Sequence, residues 1–129
     1  MKAGDSIPEL KVTPDKGLTQ RYKDASGDPN PIHVDEDFAK SVGLPGVILH
    51  GLYTMAQVAR ANNAAVGGDP RKLKRLAVQF RGMGFPEQEI TVTGTVKDER
   101  DGSVVVDTVA EQSGNQIIRN AEAELELPS

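Results

Sequence analysis

Ile90-Thr91-Val92-Thr93-Gly94-Thr95-Val96 sets apolar residues and glycine against threonine at strict two-residue spacing. That is the period of a strand with one buried face and one wet face. Asp101-Gly102 follows within a charged stretch and reads as a hairpin turn. The β-branched run at residues 104–110 predicts the next strand, and Ser113-Gly114-Asn115 the next turn. Ala121, Ala123, Leu125 and Leu127 alternate with Asn120, Glu122, Glu124 and Glu126, which predicts a last strand of the same two-faced kind. Residues 73–85 predict the strand before these, with Leu76, Val78 and Phe80 on one side. Neighbouring strands joined by such tight turns make an antiparallel meander.

The first half reads differently. Residues 7–12 predict an opening strand, ended by Pro14-Asp15-Lys16-Gly17. A short helix is expected over residues 18–26. Residues 27–31 hold Pro29 and Pro31 and form a fixed loop. A second short helix over residues 35–42 takes Asp35 as its N-cap and turns Phe38 and Val42 inward. Gly43-Leu44-Pro45-Gly46 is a loop. Residues 51–65 form the longest helical stretch, with Leu52, Met55, Ala56 and Ala59 marking one apolar face and Gly67-Gly68-Asp69-Pro70 stopping it. The class is α+β, one main helix against an antiparallel sheet, with residues 1–129 as one domain.

Composition removes several function classes. A formal net charge of -4 lacks the electrostatic footprint of a nucleic-acid binder. With no cysteine there is no disulfide, thiolate nucleophile or Cys-ligated metal centre. No apolar run approaches the roughly 18 residues of a membrane span, and Met1-Lys2-Ala3-Gly4-Asp5 does not begin a secretory signal. A cytoplasmic location is expected. Aromatic residues make up 4% of the chain, so the core rests on Val, Ile, Leu and Ala. So light a core is compatible with oligomerisation.

The two histidines, His33 and His50, lie in the region richest in glycine and proline. Asp28 and His33 flank Pro29-Asn30-Pro31-Ile32, whose prolines remove backbone freedom and two N–H donors. Such a loop can hold both side chains at a fixed separation. A carboxylate beside an imidazole suits general acid–base work on a shared water. Spacing alone also allows Asp28 to cap a turn and His33 to be a half-buried loop residue. His33 with Asp35 and Glu36 can be read as the corner of a metal site, but two histidines without cysteine are a poor donor set. No metal is expected.

The stretch Tyr22-Lys23-Asp24-Ala25-Ser26-Gly27-Asp28-Pro29-Asn30-Pro31-Ile32-His33-Val34-Asp35 closely resembles the signature of the MaoC-like, or R-specific enoyl-CoA hydratase (hydratase 2), family. The resemblance continues through Phe38-Ala39, Gly43-Leu44-Pro45-Gly46 and Ile48-Leu49-His50-Gly51-Leu52, covering residues 22–55. The remainder matches only in strand order and length, including Phe85-Pro86 before a polar turn. Lys23 and Asp24 are more polar than the family pattern, which bears on the burial of the first helix. The resemblance implies a hot-dog fold, a long helix wrapped by a curved antiparallel sheet and paired into a dimer with one continuous sheet. It also implies catalysis by Asp28 and His33: reversible syn addition of water across a trans-2-enoyl thioester to give an (R)-3-hydroxyacyl product. Asp28 would take a proton from the water that attacks C3, while His33 holds that water and helps deliver a proton to C2. No cofactor is implied, because the thioester carbonyl already activates the alkene.

Charge developing on that carbonyl does require an oxyanion site. Gly51 is the candidate, since it opens the main helix where free N–H groups point outward; the plain alternative is a glycine that merely starts a helix beside a strand. His50 is expected to shape the loop rather than to react. Asn30 is expected to bond the loop backbone and steady Asp28. Arg71, Lys72, Lys74 and Arg75, with Arg81 beyond, would meet coenzyme A phosphates or an acidic carrier protein, or form a solvated face. The implied partners are an acyl-CoA or acyl-carrier-protein thioester and a second hot-dog unit, in a homodimer or a heterodimer whose catalytic subunit is this chain. Two other classes stay open at this point: a hot-dog thioesterase and a non-catalytic acyl-CoA-binding subunit.

Overall fold

A computed structural model describes residues 1–128. The chain runs β1 (Leu10–Val12), α1 (Leu18–Ser26), a 3₁₀ turn (Pro31–His33), α2 (Glu36–Ser41), α3 (Gly51–Ala64), a second 3₁₀ turn (Pro70–Lys72), then β2 (Leu73–Phe80), β3 (Ile90–Arg100), β4 (Ser103–Gln112) and β5 (Asn115–Glu126). All strand pairings are antiparallel, in the order β1-β3-β4-β5-β2. Helix α3 packs across the sheet and touches all five strands. This is the hot-dog arrangement, a helix in a wrap of sheet. No helix among the described residues is long and apolar enough to cross a membrane.

The predicted meander is present. Ile90, Val92, Gly94 and Val96 face the core, while Thr93 and Thr95 face out. Ser113 and Gly114 join β4 to β5 with φ of 52° and 79°, the positive pair a two-residue hairpin turn with right-handed twist requires. The pairing of β5 slips against both neighbours near Asn120, itself at φ 48°. Such bulges add local bend and twist, and here they curl the sheet around α3. Gly94 is needed for closure: a Cβ there would lie 2.9 Å from Ile7 Cδ1 and 3.1 Å from Val106 Cγ1.

Three expectations are corrected. The buried face of α3 is Thr54, Gln57, Val58, Ala61 and Asn62, not Leu52, Met55, Ala56 and Ala59. Polar residues serve on the core side because most of their groups are matched inside the fold. Thr54 Oγ1 donates to the Gly51 carbonyl at 2.7 Å, Gln57 Nε2 to Tyr53 at 3.3 Å, and Asn62 Nδ2 to Val58 at 3.0 Å and Thr108 Oγ1 at 3.1 Å. Leu52 is consequently 66% exposed, and only Met55 of the expected set packs partly on the core. In α2, Asp35 caps the helix through Phe38 N–H at 3.0 Å as expected. The helix docks through Ala39, however, leaving Phe38 and Val42 40% and 55% exposed. Strand β2 ends at Phe80, short of residue 85; Leu76 and Val78 pack on the core, but Phe80 lies at the rim. The segment beyond is instead held by Gln112, which accepts from Phe85 N–H at 2.8 Å and donates to the Phe85 and Gln88 carbonyls at 2.8 and 3.0 Å.

Gly94→Val will force Ile7 and Val106 apart and lower stability by about 1–3 kcal/mol. The measurement is the thermal or urea midpoint; an unchanged midpoint would show that the sheet does not depend on this close approach.

Candidate active site

The site is assembled by the loop between α1 and α2 and by the start of α3. Gly27 at φ 74° closes α1, its N–H bonding the Lys23 carbonyl at 2.8 Å. Asp28 Oδ1 then accepts the Asn30 N–H at 3.0 Å, and Asn30 Oδ1 accepts the Ile32 N–H at 3.2 Å. These two turns engage one oxygen of Asp28 in holding the loop and leave Oδ2 for other work. Ile48 N–H donates to the Ile32 carbonyl at 3.1 Å, tying the loop to the chain entering α3. His33 Nδ1 lies 2.8 Å from the Ile48 carbonyl. A carbonyl only accepts, so Nδ1 carries the hydrogen and Nε2 of the neutral ring is a free acceptor.

Nε2 of His33 and Nε2 of His50 each lie 4.0 Å from Asp28 Oδ2. The two imidazoles stack with centroids 3.9 Å apart and planes 22° from parallel. The Tyr22 ring also lies against His50, centroids 4.5 Å apart and planes tilted by 33°, and meets Tyr53 edge-on at 6.2 Å. Both histidines are buried. Burial, with repulsion from His33, lowers the proton affinity of His50 below the ordinary value of 6.5, only partly opposed by Asp28. Gly51 follows as the first residue of α3, where N–H groups lack intrahelical acceptors and the helix dipole favours negative charge. The ring of Phe80 lies over it, with Cε1 3.2 Å from where a Cβ would be. A cavity of about 370 Å³ opens here, lined by Tyr22, Ser26, Asp28, His50, Gly51, Leu52 and Phe80.

Asp28, His33, His50 and Gly51 are therefore neighbours, with Asn30 in the loop beneath Asp28. Sequence reasoning gave His50 only a loop-shaping part and did not identify Tyr22 or Phe80 as walls. The aromatic at Tyr22 inside the motif was a usable signal; nothing in the sequence marked Phe80. Asp35 and Glu36 do not join His33, being occupied with Phe38 N–H and with Lys40 at 3.8 Å. The group that does converge is Asp28, His33 and His50, with candidate ligand atoms within 4.8 Å of one another. Stacked rings direct their in-plane lone pairs side by side, a poor fit to an ion needing both nitrogens at about 2 Å. A bridging water, with looser angular demands, suits the arrangement.

The basic cluster lies elsewhere. Lys74 and Phe80 are separated by about 20 Å of strand at 3.3 Å per residue. Arg71 is bidentate to Asp69, with both contacts at 3.0 Å, and holds that carboxyl down at about 2. Lys72 and Lys74 share Glu126 at 3.5 and 3.0 Å, and Arg75 sits exposed on β2 beside them.

The depressed proton affinity of His50 has a measurable consequence. Below pH 6.5 the unfolded chain binds this proton more readily than the native state, so the stability contributed by neutral His50 is present above that pH and lost as pH falls. Thermal midpoints recorded from about pH 8 to about pH 5 will fall for the wild type and fall less for His50→Gln. Identical slopes would mean that His50 titrates in the fold as it does in the unfolded chain.

A family model described as "MaoC like domain" matches residues 3–117. The chain is 35% identical over 113 residues to "Fatty acid synthase beta subunit hexB" of Dothistroma septosporum, covering 85% of this chain and 6% of that protein. It is 31% identical over 121 residues to "Enoyl-CoA hydratase ChsH3" of Mycobacterium tuberculosis, covering 90% of this chain and 40% of that one. A solved "MaoC-like dehydratase" superposes with a TM-score of 0.93 at 31% identity, over 99% of this chain and 41% of the other. The chain thus spans well under half the length of these relatives. Sequence, fold and the shared motif agree: the chain belongs to the MaoC-like hydratase/dehydratase family.

Proposed function

We propose that this chain catalyses reversible, (R)-specific hydration of trans-2-enoyl thioesters, with residues 1–129 working as one hot-dog domain. The observation that carries the reading is Asp28 Oδ2, left free by the loop and facing His33 Nε2 at 4.0 Å beside the N-terminus of α3. A water seated between them gives one hydrogen to Asp28 and one hydrogen bond to His33. Its oxygen forms the bond to C3 as the C2–C3 double bond shifts electrons toward the thioester carbonyl. The Gly51 N–H, helped by the helix dipole, stabilises the resulting oxyanion. The proton taken from water is then returned to C2 from the same face, so one water adds and the dyad is restored. Tyr22, Leu52 and Phe80 supply the apolar walls that keep bulk water from the enolate.

Coenzyme A or an acyl carrier protein would deliver the thioester. The in-chain ion pairs of Arg71, Lys72 and Lys74 weaken the expectation that this cluster grips the carrier's phosphates. Pairing with a second hot-dog unit is part of the reading. Among the described residues strand β2 is an edge strand with one side unpaired in the sheet, and Leu52 on α3 is exposed. A second copy of this chain is the simplest occupant, and a distinct hot-dog subunit the other.

The test is loss of enoyl-thioester absorbance with crotonyl-CoA and with a bulky trans-2-enoyl-CoA, followed by product chirality. Asp28→Asn and His33→Ala are each expected to lower kcat by about 10²–10⁴ with the fold retained. Losses under about tenfold in both would remove the dyad. Release of free thiol instead of hydration would move the chain to the hot-dog thioesterases, and binding without turnover, unaffected by Asp28→Asn, to an acyl-binding role.

A further inference from the structure

We infer that His50 is a third member of the reacting site, donating a hydrogen bond from Nε2 to the water that Asp28 and His33 hold as acceptors; the inference rests on the hydration reading. Counting donors and acceptors leads to it. Nδ1 of His33 spends its hydrogen on the Ile48 carbonyl at 2.8 Å, so Nε2 offers a lone pair. Asp28 Oδ2 is also an acceptor, with Oδ1 engaged by Asn30 N–H. A water between two acceptors donates both hydrogens and keeps two lone pairs. One must point at C3, and a donor on the other fixes that direction.

His50 is that donor by position. Its Nε2 is as far from Asp28 Oδ2 as His33 Nε2 is, 4.0 Å in both cases. With the polar atoms of the three residues within 4.8 Å of one another, one water oxygen can lie about 2.8 Å from all three. The ring is 3% exposed, and neither nitrogen has a hydrogen-bond partner among the described residues. A neutral imidazole carries one N–H, and a buried N–H left unmatched is costly. His50 also lines the cavity beside Asp28 and Gly51.

Capping does not explain the side chain. At the N-cap of α3 the His50 side chain makes no capping bond; its backbone carbonyl accepts from Tyr53 and Thr54 N–H at 3.0 and 3.3 Å. The remaining alternative is an aromatic plate packed against Tyr22 and His33, and substitution separates plate from donor. His50→Phe keeps a flat ring without nitrogen, and His50→Gln keeps a neutral N–H donor without the ring.

With crotonyl-CoA as the probe, His50→Phe is expected to lose about 10–100-fold in kcat with little change in KM, the signature of an interaction used in the transition state. His50→Gln is expected to stay within about tenfold of wild type. The inference is overturned if His50→Phe stays within about threefold of wild type, or if a folded His50→Gln is as impaired as His50→Phe. Should His50→Phe not fold, His50→Leu takes its place in the same comparison. Asp28→Asn, run alongside, separates the two readings. Full turnover by that variant removes the hydration reading and this inference with it, whereas an inactive Asp28→Asn beside a fully active His50→Phe removes this inference alone.

Discussion

The hydrogen bond from His33 Nδ1 to the Ile48 carbonyl, 2.8 Å long, is the contact on which the rest of the site depends. It joins the loop after α1 to the segment that leads into α3, two stretches separated by 15 residues. It also decides which nitrogen of His33 is bare, and so which chemistry is available opposite Asp28. The backbone pair between Ile48 N–H and the Ile32 carbonyl works beside it, so the strap is held by both a side chain and the main chain. Leu49 N–H on the Gly84 carbonyl at 2.8 Å anchors the same segment from the other side. Ile48 and Leu49 thus bring the loop of Asp28 and the first turn of α3 to one place.

A second constraint is the polar stripe by which α3 faces the sheet. Thr54, Gln57 and Asn62 are buried, yet each side chain donates to a carbonyl of its own helix. A polar residue that bonds back to the helix contributes its carbon atoms to packing and leaves few groups needing partners across the interface. Asn62 adds one cross-contact to Thr108 on β4, which helps set the position of helix on sheet. The apolar residues released from core duty, Leu52 foremost, become the wall of the cavity and the open side of the helix. Leu52, left outside the core in this way, joins Tyr22 and Phe80 in lining the cavity.

Electrostatics at the site follow from geometry rather than from net charge. One carboxylate faces two stacked imidazoles, and protonating one ring opposes protonating the other. Burial, together with repulsion from His33, pushes His50 toward the neutral form. Arg71, Lys72 and Lys74 are paired with the in-chain carboxylates Asp69 and Glu126, and their charge is spent locally.

By itself the sequence determined the meander and the fixed loop that carries Asp28 and His33. Period-two alternation over residues 90–96 and 121–127 is a local property of side chains on a pleat, and the turns at Asp101-Gly102 and Ser113-Gly114 are set by backbone freedom. The Asp28-to-His33 spacing was equally legible, because prolines and Asx turns act over a few residues. Tertiary structure alone decided which face of α3 is buried, since hydropathy counts Thr54, Gln57 and Asn62 as polar and cannot see their local hydrogen bonds. It alone also stacked His50 on His33 and laid Phe80 over Gly51. Those contacts join residues 17 and 29 positions apart in the chain, and such separations become distances only when the sheet curls around the helix.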